Sequence, residues 1–506
     1  MLDITRSDLV LGIVGAGLMG RGIAQIAAQA GISVRLFDAR PGAAIEARTA
    51  VSQTFATLAG KGKLSAADAD AAGNRLGVVD ALAGLGGCHV VVEAIVENLD
   101  AKRELFRALE TVVDDECLLA TNTSSLSVTA IAAACRLPAR VGGFHFFSPV
   151  PLMKLVEVID GLLAAPELGN ALCALARRLG HTPVRAADTP GFIVNHAGRG
   201  YGTEALRVLG EGISDFASVD RILRGAAGFR MGPCELLDLT GLDVSHPVME
   251  SIYEQYYQEP RYRPSPITRQ RLAAGLLGRK SGRGFYTYVD GRAEAVAAPA
   301  VPDAAPLPVW VSRRDPRACA RVVALLDAAG VTLDDGRTPG AGSACLVLPL
   351  GQDCTSAALA ENLDPARTLA LDPLFLDGHL TLMRNPLTTP AVRDAVWVAF
   401  AATGTAVSVI DDSPGFVAQR VVAMIVNIGC DIAQQRIATP ADIDCAVKLG
   451  LGYPQGPLAM GDALGAATVL AILDGLHEFY RDPRYRPSPW LLRRARLGVS
   501  LLTPEN

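Results

Sequence analysis

Short apolar runs alternate with longer segments of helical periodicity through the N-terminal third of the chain. Helical patterns cover 21–30 and 99–113, and the second begins after Asn98, a residue type that favours the N-cap position. Alternation of strands and helices at this spacing predicts a mostly parallel, doubly wound α/β sheet. The apolar runs that predict its strands are 11–14, 33–37, 78–79, 90–92 and 118–120.

A glycine-rich turn joins the first predicted strand to the first predicted helix. Its sequence is Gly15, Ala16, Gly17, Leu18, Met19 and Gly20. Gly15 permits the tight turn, Gly17 lets a pyrophosphate approach the backbone, and Gly20 allows the helix to pack closely on the strand. Asp38, at the end of the second strand, would accept hydrogen bonds from an adenosine ribose, and its charge would repel a 2′-phosphate. The turn therefore predicts NAD, and not NADP, as cofactor.

Two further apolar segments, Gly143–Pro149 and Lys154–Ile159, are separated by a proline-rich turn that cannot continue a sheet. Folding the chain back near Pro151 places His145 opposite Glu157. A histidine paired with a carboxylate is the arrangement of a general base and the group that orients it. The alternative for such a pair is a hydrogen-bonded core histidine without a chemical role.

Polar side chains follow the last two predicted strands of this sheet. Glu93 and Glu97 come after one strand, and Thr121–Ser125 after the next. Because ligands bind at the carboxyl ends of strands in such sheets, we expect these residues to face the nicotinamide end of the cofactor. A capping or turn role is the alternative for one of the two serines, Ser124 and Ser125.

Three sequence blocks recur in the same order, which predicts an internal duplication. The matched pairs are 188–195 with 412–419, 231–238 with 455–462, and 260–266 with 483–489. Both copies have helical patterns: a long helix over 192–210, and shorter helices over 219–223, after Ser218, and 443–449, after Asp442. We expect the two copies to pack on each other or across a dimer axis.

A second, smaller α/β unit lies between the helical copies, after an Ala- and Pro-rich linker over 296–308. It lacks a GxGxxG turn. Counting back from Asp412 as from Asp188 puts the His145 position near Leu369 and the Glu157 position near Thr381, and Gln419 replaces Asn195. The second half is therefore predicted to be a duplicated first half that has lost the pair. Its predicted elements are strands at 309–312, 331–333, 345–349 and 407–410, and a helix at 315–329.

Composition limits the class of protein. The 506 residues predict three or four domains, and 50% hydrophobic and 20% charged residues are typical of a globular protein. A net charge of −5 without a basic stripe argues against nucleic-acid binding, and no apolar run has membrane-spanning length. The polar N-terminal segment leaves no room for a signal peptide. Ten cysteines without CxxC or CxxH spacing indicate reduced core residues in a cytosolic protein, with neither disulfides nor a metal site.

With these motifs in place, the chain resembles the 3-hydroxyacyl-CoA dehydrogenase family. The match to the two-domain core runs over residues 8–289, and 307–506 match an appended half less closely. The particular resemblance is to the long bacterial 3-hydroxybutyryl-CoA dehydrogenase form of the phenylacetate-degradation type. The motifs that carry it are GAGLMG (15–20), VEAIVEN (92–98), NTSSL (122–126), GFHFFSP (143–149), DTPGFIVN (188–195) and KSGRGFY (280–286).

The resemblance implies a four-domain architecture with a linker. A Rossmann NAD-binding domain is followed by an all-α C-terminal domain, a reduced Rossmann-like α/β domain and a second copy of the all-α domain. The expected bounds are 1–187, 188–292, 293–308 for the linker, 309–411 and 412–506. A cytoplasmic homodimer formed through the helical domains is the expected assembly.

The resemblance also implies residue roles. His145 would be the catalytic base and Glu157 would hold its tautomer, while Ser124 and Asn195 would bind the substrate's oxygens. Matches to cofactor contacts are Glu97, Lys102, Ser124, Ser148 and Lys280, and matches to CoA contacts are Thr54, Lys61 and Ser124. Ser148 is a departure, because much of the family has Asn there.

The implied reaction is the NAD-dependent oxidation of a (S)-3-hydroxyacyl-CoA. The sequence leaves 3-hydroxybutyryl-CoA and 3-hydroxyadipyl-CoA open as substrates, in β-oxidation of fatty acids or in phenylacetate catabolism respectively. Two other readings stay open: a dehydrogenase of a sugar acid or another β-hydroxy acid on the same scaffold, and a structural or binding protein that has kept the fold.

Overall fold

The structure is a computed structural model that describes residues 3–505; residues 1, 2 and 506, at the outer ends of the first and last predicted domains, lie outside it. The strands are β1 (Val10–Val14), β2 (Ser33–Phe37), β3 (Leu76–Val78), β4 (Val90–Glu93), β5 (Leu118–Thr121), β6 (Val141–Phe146), β7 (Leu155–Asp160), β8 (Thr182–Ala187), β9 (Tyr288–Val289), β10 (Arg292–Ala293), β11 (Val309–Val311), β12 (Leu333–Asp334), β13 (Ala344–Val347), β14 (Thr368–Leu371), β15 (His379–Arg384) and β16 (Ala406–Ile410).

Helices connect and cover these strands. They are α1 (Leu18–Gln29), α2 (Ala43–Gly60), α3 (Ala66–Asn74), α4 (Leu99–Glu110), α5 (Val128–Ala132), α6 (Pro166–Arg178), α7 (Val194–Ala197), α8 (Arg199–Gly210), α9 (Phe216–Gly225), α10 (Pro233–Thr240), α11 (Leu242–Gln255), α12 (Pro266–Ala273), α13 (Pro316–Ala328), α14 (Cys354–Ala360), α15 (Pro390–Ala401), α16 (Val417–Gln434), α17 (Pro440–Leu451), α18 (Pro457–Leu464), α19 (Ala466–Tyr480) and α20 (Pro489–Leu497).

The described chain divides into two compact units. The first contains the residues up to His196 together with Gln435–Leu451, and the second contains Ala197–Gln434 and the residues from Gly452 onward. Each unit has a large sheet of its own, so each is described by itself below.

The sheet of the first unit has the order β3-β2-β1-β4-β5-β6-β7-β8, and every neighbouring pair is parallel except β6 and β7. Alternate strand residues enter cores on opposite faces. Ile13 and Val92 lie in the core on one face, and Val14 and Val91 in the core on the other. Helices thus cover both faces, and the predicted doubly wound sheet is confirmed.

A helix from the second half of the chain belongs to this first unit. Helix α17 packs on β7 and β8. Just before it, the carbonyl of Ile437 accepts a hydrogen bond of 2.8 Å from the N–H of Ala187 at the end of β8. The first sheet is therefore completed by a segment that follows it in sequence by about half the length of the chain.

The second unit contains a six-stranded sheet of order β12-β11-β13-β14-β15-β16, with an antiparallel β14–β15 pair, and most of both helical copies. The long helices α8 and α16 pack closely, because a Cβ at Gly200 would lie only 3.0 Å from the backbone of Ile425. At this contact, buried Glu204 of α8 accepts hydrogen bonds of 2.9 and 2.8 Å from Arg420 and Arg484. The expectation that the helical copies pack on each other is confirmed.

The strand register of the second sheet corrects one expectation. Asp372, directly after β14, donates its N–H to the carbonyl of Thr381 at 3.0 Å, whereas Leu369 pairs with Arg384. Asp372, and not Leu369, therefore occupies the position of His145 opposite the Glu157 position. A constant offset was wrong for β14 because the connection from β14 to β15 differs in length from that between β6 and β7.

The repeated Asp-x-Pro-Gly motif has a capping function in each unit. In the first, Asp188 accepts hydrogen bonds from the N–H groups of Val128 and Thr129, at the start of α5. In the second, Asp412 accepts them from Cys354 and Thr355, at the start of α14. Since helix N-termini leave N–H groups without partners, these caps explain why the duplicated sequence keeps the aspartate.

Three predicted helix boundaries were wrong. The long helix cannot begin at Phe192, whose φ of 48° is left-handed, and it is divided into α7 and α8 at Gly198. Helix α9 begins earlier than predicted, because the side chain of Asp215 accepts the N–H of Ser218 and is the cap. Likewise, α17 begins at Pro440.

Candidate active site

The antiparallel register of β6 and β7 places His145 directly opposite Glu157, as the sequence predicts. The distance from His145 Nδ1 to Glu157 Oε2 is 2.6 Å, and the two side chains are 6% and 0% exposed. Because the carboxylate accepts this hydrogen bond, Nδ1 carries the proton and the lone pair of neutral imidazole lies on Nε2. The pair can thus present a base to a ligand.

Backbone groups fix the second oxygen of Glu157. Its Oε1 accepts hydrogen bonds of 2.9 Å from the N–H groups of both Ile193 and Val194, at the start of α7. The rings of Phe147 and Phe192 lie 4.5 and 5.8 Å from the His145 ring. A buried carboxylate held by two N–H groups and one imidazole is fully hydrogen-bonded, which fixes the orientation of the base.

A second polar cluster lies at the carboxyl ends of β4 and β5. The ammonium of buried Lys102 lies 2.5 Å from Glu93 and 3.3 Å from Glu97. Glu93 also accepts a hydrogen bond of 2.7 Å from the hydroxyl of Thr121. Buried charges need such partners, so Lys102 joins these strand ends into one structure.

Glu97 binds several residues of the loop that follows β5. Its Oε1 accepts hydrogen bonds from the hydroxyls of Thr123 and Ser125 and from the N–H and hydroxyl of Ser124. Burial acts to raise the pKa of Glu97, but the Thr123 hydrogen bond and the charge of Lys102 outweigh it and hold the pKa below its usual value. The carboxylate is therefore ionised at neutral pH.

The structure brings Ser124 and Asn195 together. The side-chain amide of Asn195 donates to the carbonyl of Ser124 at 3.5 Å. Asn195 lies on α7, one residue after Val194, whose N–H binds Glu157. Two residues predicted to contact the substrate thus approach each other, one from the loop after β5 and one from α7.

The glycine turn between β1 and α1 fits a dinucleotide. Gly15 has a φ of 102°, and a Cβ there would lie 2.4 Å from the carbonyl oxygen of Ala94. A Cβ at Gly20 would lie 1.8 Å from the Gly15 carbonyl oxygen, whereas one at Gly17 would meet open space. Because α1 starts at Leu18 with no acidic side chain in its first turn, its N–H groups can donate hydrogen bonds to a pyrophosphate in that space.

Comparison with known proteins identifies the family of this chain. The family model for the 3-hydroxyacyl-CoA dehydrogenase NAD-binding domain matches residues 10–189. The model for the 3-hydroxyacyl-CoA dehydrogenase C-terminal domain matches 191–288 and again 415–500, as the predicted duplication requires. The chain belongs to the 3-hydroxyacyl-CoA dehydrogenase family. The family comprises NAD-dependent oxidoreductases, and NAD is the cofactor of this dehydrogenase.

Individual relatives match over different lengths. The chain is 37% identical over 492 residues to 3-hydroxyadipyl-CoA dehydrogenase of Escherichia coli, covering 96% of this chain and 97% of the relative. A probable 3-hydroxybutyryl-CoA dehydrogenase of Bacillus subtilis is 40% identical, over 54% of this chain and 96% of its own length. A crystal structure of 3-hydroxybutyryl-CoA dehydrogenase from Escherichia coli has a TM-score of 0.85 at 35% identity, covering 97% of this chain and 98% of that one.

Asp38 of this dehydrogenase supports the glycine turn directly. Its Oδ2 accepts a hydrogen bond of 2.7 Å from the N–H of Ala16, and its Oδ1 accepts one of 2.8 Å from the N–H of Arg40. A ribose bound here would share a carboxylate that already holds the loop. The position at the end of β2 is the predicted one.

A groove of about 650 Å³ lies between α1, α2 and the turn after β6. Thr54 lines it, as predicted, while Lys61 lies outside the lining at the exposed C-terminus of α2. The groove also contains three cations, Arg21, Lys63 and Lys154. The motifs did not identify Arg21 and Lys154; a helical stripe on α1 (Leu18, Arg21, Gly22, Gln25 and Gln29) could have indicated the lining.

The last two predicted cofactor contacts, Ser148 and Lys280, lie in different units of the chain. Ser148 is exposed in the turn after β6, next to Pro149, which lines the groove. Lys280 lies in the second unit, where its ammonium is 2.5 Å from the carboxylate of Asp243. Within residues 3–505 no cluster of three or more metal-ligating side chains occurs.

No single described helix is long and apolar enough to cross a membrane. Helices α18 and α19 meet the length and composition criteria only as a pair bent by 95°.

Proposed function

We propose that this dehydrogenase oxidises (S)-3-hydroxyacyl-CoA to 3-oxoacyl-CoA, with His145 as general base and Glu157 as its orienting partner. The observation that carries the proposal is the buried His145–Glu157 pair, whose carboxylate is also held by two backbone N–H groups. A histidine used only for packing would not need a carboxylate to fix its tautomer, nor two backbone N–H groups to hold that carboxylate in place.

His145 Nε2 takes the proton of the substrate's 3-hydroxyl. Bound NAD supplies the acceptor for the hydride that leaves C3. As the imidazole becomes positive, the carboxylate of Glu157 at 2.6 Å from Nδ1 stabilises the charge. In the reductive direction the same imidazolium donates the proton back.

Ser124 and Asn195 bind the substrate's oxygens in this proposal. Their polar groups approach each other beside α7, and hydrogen-bond donors aimed at an oxygen that becomes a ketone stabilise the transition state. Glu97 positions Ser124 by accepting a hydrogen bond of 2.9 Å from its backbone N–H.

The cofactor contacts proposed for Glu97, Lys102, Ser124, Ser148 and Lys280 rest on the family resemblance. The Lys102 ammonium is held between Glu93 and Glu97, so its contribution is to fix Glu97 at the strand ends. Asp38 shares its carboxylate between the glycine turn and the adenosine ribose.

The groove between α1 and α2 is the proposed site of the CoA moiety. Arg21, Lys63 and Lys154 supply positive charge for phosphate groups, and Thr54 adds a hydroxyl. Lys61, at the end of α2, would extend the positive surface beyond the lining.

The remaining expectations stay predictions. These are the four-domain division with boundaries at 187/188, 292/293, 308/309 and 411/412, the cytoplasmic location, and roles in β-oxidation or phenylacetate catabolism. A homodimer is also still a prediction, and it would have to use surfaces other than the faces that α8 and α16 bury against each other.

The acyl preference can be decided by direct assay. Purified protein is offered NAD with (S)-3-hydroxybutyryl-CoA and with (S)-3-hydroxyadipyl-CoA, and NADH formation is followed. We expect turnover with at least one of them and much less with NADP. A tenfold preference in kcat/KM, about 1.4 kcal/mol, would assign the dicarboxylic or the short-chain substrate. Absence of turnover with both, combined with oxidation of a free sugar acid, would contradict the proposal.

A further inference from the structure

Helix α17, contributed by the second half of the chain, comes unusually close to the anchor of the catalytic pair. A Cβ added at Gly450, near the end of this helix, would lie 2.9 and 3.0 Å from the two methyl groups of Val194 and 3.0 Å from Leu155. A methyl group at this position would therefore require Val194 and Leu155 to shift.

Both contacted residues are directly connected to Glu157. The N–H of Val194 is one of the two that bind Glu157 Oε1. Leu155 precedes Glu157 by two residues on β7, so both side chains project from the same face of the strand. Displacing either residue would move the carboxylate that orients His145.

We propose that Gly450 is a positioning residue for the reaction. Its lack of a side chain lets α17 pack closely on Val194 and Leu155, and this packing fixes the orientation of Glu157 and, through Glu157, of His145. This inference rests on the proposed function of His145 and Glu157. It assigns to the appended half a part in catalysis through packing, without contact with substrate or cofactor.

The second unit contains the same packing without the chemistry. Helix α9 approaches β15 so that a Cβ at Gly225 would lie 2.7 Å from His379. His379 begins β15 as Leu155 begins β7, and the hydrogen bond from Asp411 to Ile213 repeats the one from Ala187 to Ile437. In both copies, a helix from the other half of the chain thus packs on the sheet. Of the two helices, only α17 packs on a segment that holds a His–Glu pair.

The test uses Gly450→Ala and Gly450→Val in the full chain, with Gly73→Ala as the matched control. Gly73 also lies within a helix of the first unit, but a Cβ there has no neighbour within 4 Å. Alanine favours a helix more than glycine does, so Gly73→Ala should keep or raise Tm. In Gly450→Ala the same preference is offset by the displacement of Val194 and Leu155, so its Tm should stay close to that of the unchanged protein. We expect kcat to fall about tenfold in Gly450→Ala and about a hundredfold in Gly450→Val, the size of a small misplacement of catalytic groups.

Two further measurements separate positioning from general damage. The KM for NAD and the affinity for NADH, followed by its fluorescence, should stay within about twofold of the unchanged protein, because the glycine turn is distant along the sheet. Adding Val194→Ala to Gly450→Ala should restore kcat to the level of Val194→Ala alone, since the removed methyl groups make room for the new one.

The inference is overturned if Gly450→Val keeps native kcat, or if kcat and NADH affinity fall together with Tm and Val194→Ala gives no recovery. His145→Gln distinguishes the two levels of the argument. If that variant keeps turnover, the proposed function fails. If it is inactive while Gly450→Val is normal, only the role of Gly450 fails.

Discussion

The two α/β units place different chemistry at the same strand position. In the first unit, His145 opposes Glu157, and the pair satisfies its buried polar groups completely. In the second, Asp372 opposes Thr381. One sheet holds a base with its counter-charge, and the other holds a carboxyl group without a base.

The surroundings of Asp372 show what the duplication retained. Gln419, the counterpart of Asn195 in the repeat, donates to its Oδ1 at 3.0 Å, while Oδ2 has no hydrogen-bond partner within residues 3–505. Burial raises the pKa of Asp372 to about 6. A buried charge needs full compensation, so the ionised carboxylate of Asp372 costs stability at neutral pH.

Replacing His145 and Asp372 in turn by a residue with an amide side chain should show that only the first unit takes part in turnover. His145→Gln should lower kcat by about 10²–10⁴-fold, because the base is lost while the shape is nearly kept. The matched variant Asp372→Asn should leave kcat unchanged. Initial rates of NADH formation at saturating substrate provide the measurement, and a loss of turnover in Asp372→Asn would show that the second unit takes part in the chemistry.

Much of this comparison could be predicted from the sequence. The glycine turn, the opposition of His145 and Glu157 and the repeated blocks depend on local patterns and on one reversal of the chain. These signals are short-range, and a reversal of the chain near Pro151 is enough to predict the register observed between β6 and β7.

The rest depended on contacts between distant parts of the chain. The position of Asp372 was missed because a shift in register follows from loop length and not from residue type. The packing of α17 on β7 and β8 joins segments that are hundreds of residues apart. The N–H groups that anchor Glu157 belong to the backbone, and side-chain identity carries no signal for them.

The stability of the second unit should reveal the cost of its isolated carboxyl group. The folded-state pKa of Asp372, about 6, lies above the usual value of 3.8, so the folded protein binds the proton more tightly. This contribution to stability is present below pH 3.8 and is lost as the pH rises to about 6. Asp372→Asn should therefore raise the free energy of unfolding at pH 7, on the order of 3 kcal/mol.

The measurement is urea unfolding of both proteins at pH 4.5 and pH 7.5. The stabilisation of Asp372→Asn should be larger at the higher pH. An equal difference at both pH values would mean that the carboxyl group does not titrate in this range, and that its burial is compensated in some other way.

A further difference between the units should appear only in acid, at the first residue of the corresponding strands. His379 begins β15 where Leu155 begins β7, and burial, with the charge of Arg221, lowers the pKa of His379 to about 4. Because the unfolded chain binds a proton below about pH 6.5 and the folded protein does not, stability is lost as the pH falls from 6.5 towards 4.

Replacing His379 with the residue of the first unit, His379→Leu, should remove this acid-dependent loss. The hydroxyl of Ser408 loses its hydrogen bond of 2.9 Å to the imidazole, so a small destabilisation independent of pH is expected as well. The test is therefore the slope of Tm against pH between 6.5 and 4.5. The Tm at a single pH would combine the two effects. If the slope of the variant equals that of the unchanged protein, His379 is already protonated in the folded state and its burial does not exclude the charge.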